Sequence, residues 1–184
     1  MDVNWQPFYL NHNTPEEGED MYEHLAKKYG VDKARQFTAP NNPLTDAGSK
    51  VGITFNPARR IIRTEASHRL VEYCKEVAPD KEDALMEEMF KAYFEQGKDL
   101  SKHDELIACA SATGLDANEC ASMLESSRFR QEVSSKARSW SQQGVNGVPF
   151  FVIYPASGDG QPVGFSGAQP PEVIEEVLRE KADE

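Results

Sequence analysis

A chain of 184 residues is long enough to bury one hydrophobic core, so a single domain over 1–184 is the natural expectation. With 39% hydrophobic and 28% charged residues, its make-up is that of an ordinary globular protein. The formal net charge of −11 excludes a reader of phosphate backbones, and no segment approaches the ~20 apolar residues of a membrane-spanning helix.

Val3–Leu10 has strand composition, and Pro7 in its middle marks it as an edge strand. Thr14, Pro15 and Glu17 then read as a helix start, with a capping threonine, a proline in the first turn and a capping-box glutamate. Gly30 ends that helix. The stretch Thr38–Pro57 carries Pro40, Pro43, Gly48, Gly52 and Pro57 and reads as irregular.

Four helices follow. Thr64 caps one with Leu70, Val71, Cys74 and Val77 facing inward, and Pro79 closes it. The next runs from about Lys81 to Gln96, with Leu85, Met86, Met89, Phe90, Tyr93 and Phe94 on one stripe, and Gly97 terminates it. His103–Ala112 and Asn118–Ser126 form a helical hairpin turned by Gly114, with a capping box at Asp116 and Glu119. A helix from about Ser127 to Gln143 puts Phe129, Val133, Ala137 and Trp140 inward.

The most informative stretch comes next. Gly144–Tyr154 reads GVNGVPFFVIY, a glycine-flanked Val-Pro leading straight into an apolar strand. Proline cannot donate to a sheet ladder and belongs at the first residue of a strand, which is where Pro149 stands. A turn at Ser157–Gly160 and a returning strand at Pro162–Ser166 complete a hairpin. The last helix begins at Pro170 or Pro171 and has Val173, Ile174, Val177 and Leu178 to bury.

This stretch, with the GAQ before the last helix, resembles the C-terminal half of the DsbA-like thioredoxin-fold family. The FrnE-type branch, which shares its domain with the 2-hydroxychromene-2-carboxylate isomerases, fits best. The likeness continues along the chain: VNWQPFYL at Val3–Leu10 is similar to the strand after the family's active-site helix. Lys28–Gly30, then Gly52, Phe55, Thr64, His68, Arg69 and Leu70, match in order, with Arg63 and Ser67 departing from the pattern. Phe90, Ala92, Tyr93, Phe94 and Gly97, and then Gly114, Leu115 and Asp116, match further motifs.

The resemblance implies an α/β, thioredoxin-like (DsbA-type) fold with a large all-helical insertion. The thioredoxin core would be 1–13 and 144–184, and the insertion 14–143. It also implies that Val148-Pro149 is cis, at the edge of an accessible groove. There the backbone of Val148 and Pro149 would pair with an extended peptide, a thiol substrate or glutathione, by strand addition. His68 falls at a family position near the active-site face, as a possible pocket residue; its plainer role is to hydrogen-bond backbone at a packing contact.

Family members open with a strand and then a C-x-x-C, or a serine variant in the isomerase relatives, at a helix start. Here neither that first strand nor that helix is present, and Cys74, Cys109 and Cys120 include no pair two residues apart. No catalytic residue is therefore assigned. Cys74 reads as a buried small hydrophobe, and Cys109 and Cys120 as core thiols able to approach each other across the hairpin. His12, His24, His68 and His103 have no helical metal-site spacing, so no metal and no cofactor is expected.

The chain thus reads as a member of a thiol–disulfide oxidoreductase family that is catalytically incomplete as given, through a shortened N-terminus. A glutathione-dependent isomerase or transferase and a non-catalytic binding module are the alternatives. Scattered, odd-numbered cysteines suit a reducing, cytoplasmic setting. Without the first strand, either Val3–Leu10 pairs directly with Phe150–Tyr154, or an open sheet edge invites self-association.

Overall fold

The computed structural model describes residues 2–183. Two compact units make up the chain, Met1–Lys136 and Ala137–Glu184.

In the first unit the helices are α1 (Met21–Tyr29), α2 (Val31–Thr38), α3 (Pro43–Lys50), α4 (Glu65–Val77), α5 (Glu82–Phe90), α6 (His103–Ala112) and α7 (Ala117–Glu125). Helix α4 is its axis. Six consecutive residues, Arg69 to Cys74, are buried, so α4 is covered all round rather than along one stripe. Leu70, Val71 and Cys74 meet Leu85 and Met89 of α5, Leu106, Cys109 and Ala110 of α6, and Cys120, Met123 and Leu124 of α7 in one core. Val77, expected inside, is 46% exposed because the last turn of α4 emerges from the core.

Local chemistry sets the helix ends. The Asp116 carboxylate accepts from the Asn118 and Glu119 amides at 2.8 and 3.0 Å and starts α7. Past α5 the chain loosens into a π turn, Lys91–Glu95. Gly97 (φ 70°) then closes the turn; a Cβ there would come within 2.9 Å of the Asn56 side chain, so only glycine fits.

Three expectations need correction here. Val3–Leu10 forms no strand. Its backbone finds side-chain partners on α4 and α5 instead: the Trp5 N–H donates to Glu82 Oε1 at 2.7 Å, and Lys75 donates to the Trp5 carbonyl. The first helix starts at Met21 rather than near Thr14. Thr14 Oγ1 donates to the Asn11 carbonyl, and Gly18 (φ 70°) closes a turn onto Pro15, which ends any helix there. Asp20 is the working cap, accepting from the Glu23 amide at 3.0 Å. Within the irregular stretch, Asn42 caps α3 through the Leu44 and Thr45 amides, with Pro43 in the first turn.

Helix α8 (Arg130–Gln142) runs across the boundary between the units. It begins later than Ser127 because Phe129 takes φ 61°, outside the helical region, and its carbonyl then accepts from the Val133 amide. Val133 and Ala137 are fully buried, Phe129 and Trp140 half-buried.

The second unit holds β1 (Phe150–Ile153), β2 (Val163–Ser166) and α9 (Pro171–Asp183). The strands are antiparallel, with Phe150 opposite Ser166 and Ile153 opposite Val163. Phe151 stacks on Phe165 across the pair, ring centroids 5.2 Å apart. A hairpin alone is marginal in water, and α9 packing on β1 supplies the missing face. Of the residues expected to be buried in α9, Ile174, Val177 and Leu178 are half-buried and Val173 is 41% exposed. The helix covers only two strands, too narrow a surface to bury a four-residue stripe. Among the described residues the sheet stops at β1 and β2, so the alternative in which Val3–Leu10 joins it is not adopted.

Candidate functional site

Helix α8 ends in a glycine turn that launches the Val-Pro loop. The Gly144 and Val145 amides donate back to the Ser141 and Trp140 carbonyls at 3.1 Å each, and buried Val145 anchors the turn. Beyond it the chain turns outward: Val148 is 54% exposed, and Pro149 is exposed as well. The Val148-Pro149 peptide bond is cis. The Pro149 carbonyl accepts from the Gly167 amide at 2.8 Å, which ties the loop to the end of β2.

Neither the Val148 N–H nor its C=O has a hydrogen-bond partner among the described residues. Among the described residues strand β1, which follows, pairs with β2 alone. Exposed, unpaired backbone beside a half-paired strand is the arrangement on which an extended chain adds.

His68 lies in the first unit. Its Nε2 donates to the Phe8 carbonyl at 3.1 Å, so the proton sits on Nε2. Burial lowers its pKa from the ordinary histidine value, and the ring is neutral near pH 7. With Trp5, Gln6, Pro7, Val71, Glu72 and Met86 it lines a cavity of about 40 Å³, room for about one water. Glu72, beside His68 in this lining, is not among the residues expected from the sequence. Their i, i+4 spacing on one helix was the available signal.

The cysteines do not form a reactive centre. Cys74, Cys109 and Cys120 are all buried free thiols. Cys74 Sγ donates to the Ala78 carbonyl, and burial followed by the charge of Glu82 pushes its pKa up to about 11. At pH 7 that leaves a thiolate fraction on the order of 10⁻⁴, where an attacking thiol needs a depressed pKa and access. Burial raises the Cys109 and Cys120 thiols as well. Among the described residues no group of His, Cys, Asp or Glu is placed to hold a metal ion, and no helix is long and apolar enough to cross a membrane.

Comparison with known proteins places this architecture. No curated protein matches. Among solved structures, a probable DsbA oxidoreductase from Streptomyces coelicolor superposes with a TM-score of 0.79 at 26% identity, over 96% of this chain and 74% of that one. A candidate protein disulfide isomerase from Nitrosomonas europaea shares the fold, with a TM-score of 0.64 at 15% identity over 97% and 78% of the two chains. The helix-rich architecture with its small sheet is that of a DsbA-like thioredoxin fold with a helical insertion. Residues 1–179 match the model of the DSBA-like thioredoxin domain, and the chain belongs to that family.

Proposed function

We propose that this chain is a FrnE-type member of the family that binds an extended thiol peptide through Val148 and Pro149, and that carries no dithiol of its own. The observation that supports binding is the unpaired Val148 backbone beside the open side of β1. A peptide laid antiparallel there gains main-chain hydrogen bonds at Val148 and then along the strand, each worth about 0.5–1.5 kcal/mol net. The FrnE assignment is supported by the ordered motifs from Gly52 to Leu70 and from Phe90 to Gly97. Glutathione, whose Cys-Gly part carries the same main-chain groups, is a small ligand of this class. A reducing, cytoplasmic setting accords with three buried free thiols. The open side of β1 is equally available to a second copy, which makes self-association the competing use of this edge.

The binding reading has a direct test. Backbone amide shifts are followed while a cysteine-containing extended peptide is titrated into the isotope-labelled chain. Shifts are expected to centre on Val148 and Phe150–Ile153. Val148→Pro removes the one donor before the strand and is expected to weaken binding about tenfold, the equivalent of about 1.4 kcal/mol. Shifts confined to other segments, or unchanged affinity in Val148→Pro, would remove the proposal.

A further inference from the structure

Helices α1, α2 and α3 form an arm with almost no core of its own. Of residues 21–50 only Ala34 and Gly48 are buried, and both are small. A Cβ at Gly48 would meet the Phe55 ring at 2.6 Å, so the backbone itself packs there. Among the large apolar side chains Tyr29, Val31, Phe37 and Leu44 are exposed. The Tyr29 and Phe37 rings meet edge-on with centroids 5.9 Å apart, and Lys28 Nζ stands 5.2 Å from the Tyr29 centroid. Lys33 lies one turn before Phe37 on the same face of α2.

The arm is also basic where the chain is acidic. Residues 21–50 hold five basic and three acidic side chains, against 20 and 31 in the whole chain. Lys27 reaches Glu19 at 3.7 Å, while Lys33, Arg35 and Lys50 have no ion-pair partner among the described residues. The opposite pattern stands on α9, which carries five acidic and two basic side chains. Its Glu172, Glu176 and Glu180 recur at every fourth position, exposed, with Val173 exposed beside them. Glu175 holds Arg179 at 2.6 Å, but none of those three has a cationic partner among the described residues.

We propose that the α1–α2 face of this arm docks α9 of a second copy of the chain, with Tyr29 and Phe37 against Val173, and Lys28 and Lys33 against Glu172 and Glu176.

Charge selects this occupant. Arm against arm would set basic on basic, and α9 against α9 would set acidic on acidic. Only the crossed contact joins opposite signs. An anionic lipid or phosphate surface would attract the arm but repel a chain of net charge −11. Each copy carries both halves, so the contact is complementary between copies. It also covers apolar surface that each unit leaves open, the Tyr29–Phe37 pair on one side and Val173 on the other.

The test is sedimentation equilibrium on the full chain at concentrations up to about 1 mM, the range of weak contacts. At about 0.02 M salt the parent should associate, and at about 0.5 M salt that association should weaken roughly tenfold or more. Two charge-reversed chains follow, Lys28→Glu with Lys33→Glu, and Glu172→Lys with Glu176→Lys. Each alone brings like charges together and should stay monomeric. Their equimolar mixture should form mixed dimers, because the reversed arm of one meets the reversed α9 of the other. A parent that is monomeric throughout overturns the proposal. So does a reversed chain that associates as the parent does, which is the behaviour of backbone pairing along β1. A mixture no more associated than its components overturns it equally. Should a reversed chain fail to fold, Phe37→Ser decides: association about tenfold weaker is expected, and unchanged association overturns the proposal.

Discussion

Replacing Arg69 with methionine is expected to cost about 3–4 kcal/mol of stability, the largest loss from any single change considered. The side chain is 2% exposed, and it makes four hydrogen bonds in a place where water cannot substitute. Nε donates to the Arg128 carbonyl at 2.8 Å, Nη2 to those of Met123 and Ser126 at 2.9 and 2.6 Å, and Nη1 to that of Leu124 at 3.4 Å. These carbonyls belong to the end of α7 and the turn beyond, where helix geometry leaves acceptors unpaired and the dipole is negative. Burial, and then Arg130, lower the Arg69 pKa, yet a guanidinium remains charged in a protein. Methionine keeps most of the volume and removes every donor, orphaning the Arg128 and Leu124 carbonyls and leaving that of Ser126 without its short bond. At about 2–4 °C per kcal/mol for a chain of this size, the melting temperature should fall by roughly 10 °C. Arg69→Lys restores one or two bonds and should recover part of it. A loss below about 1 kcal/mol would show that these carbonyls find water.

Glu72→Gln is expected to cost about 2–3 kcal/mol at pH 7. The carboxylate is 4% exposed and holds two lysines at once, Lys75 at 3.3 Å and Lys136 at 2.5 Å. Burial pulls the Lys136 pKa down, but its bonds to Glu132 and Glu72 outweigh that and leave it raised. The amide that replaces the carboxylate accepts with one oxygen and carries no charge, so both ammonium groups lose their shared counter-ion. Because Lys136 keeps Glu132 at 2.7 Å and Lys75 keeps Glu82 at 3.5 Å, the cost stays below that of a fully stranded buried charge. A double-mutant cycle with Lys136→Met should return a coupling of about 1 kcal/mol or more by denaturant unfolding. Additive losses would mean that the pair does not interact.

The helical part of the fold was legible because its signals are local. Leu85, Met89 and the capping Asp116 lie within one or two turns of the residues they organise, and α6 spans His103–Ala112 as its periodicity predicts. Where two local signals competed, the sequence was ambiguous. Thr14-x-x-Glu17 and Asp20-x-x-Glu23 are both capping patterns, and the positive φ of Gly18, visible only in three dimensions, excludes the first. Val3–Leu10 has the composition of a strand, but a strand is made by its partner, and this segment's partners are polar side chains on α4 and α5. His68 illustrates the same limit. Its acceptor, the Phe8 carbonyl, is 60 residues away, so the hydrogen bond was foreseeable in kind but not in identity. The Val-Pro loop was legible through its glycines and its apolar strand, and the structure adds that the Val148 backbone has no hydrogen-bond partner among the described residues.

The DsbA-like scaffold of this chain carries three buried free thiols. Whether they can act is read from turnover: reduction of insulin disulfides, and oxidation of a reduced peptide, by the purified chain alone. Three buried thiols, no two of them in C-x-x-C spacing, should give no acceleration beyond that of free thiol at the same concentration. Turnover well above that level, abolished by Cys109→Ser or Cys120→Ser, would contradict the account.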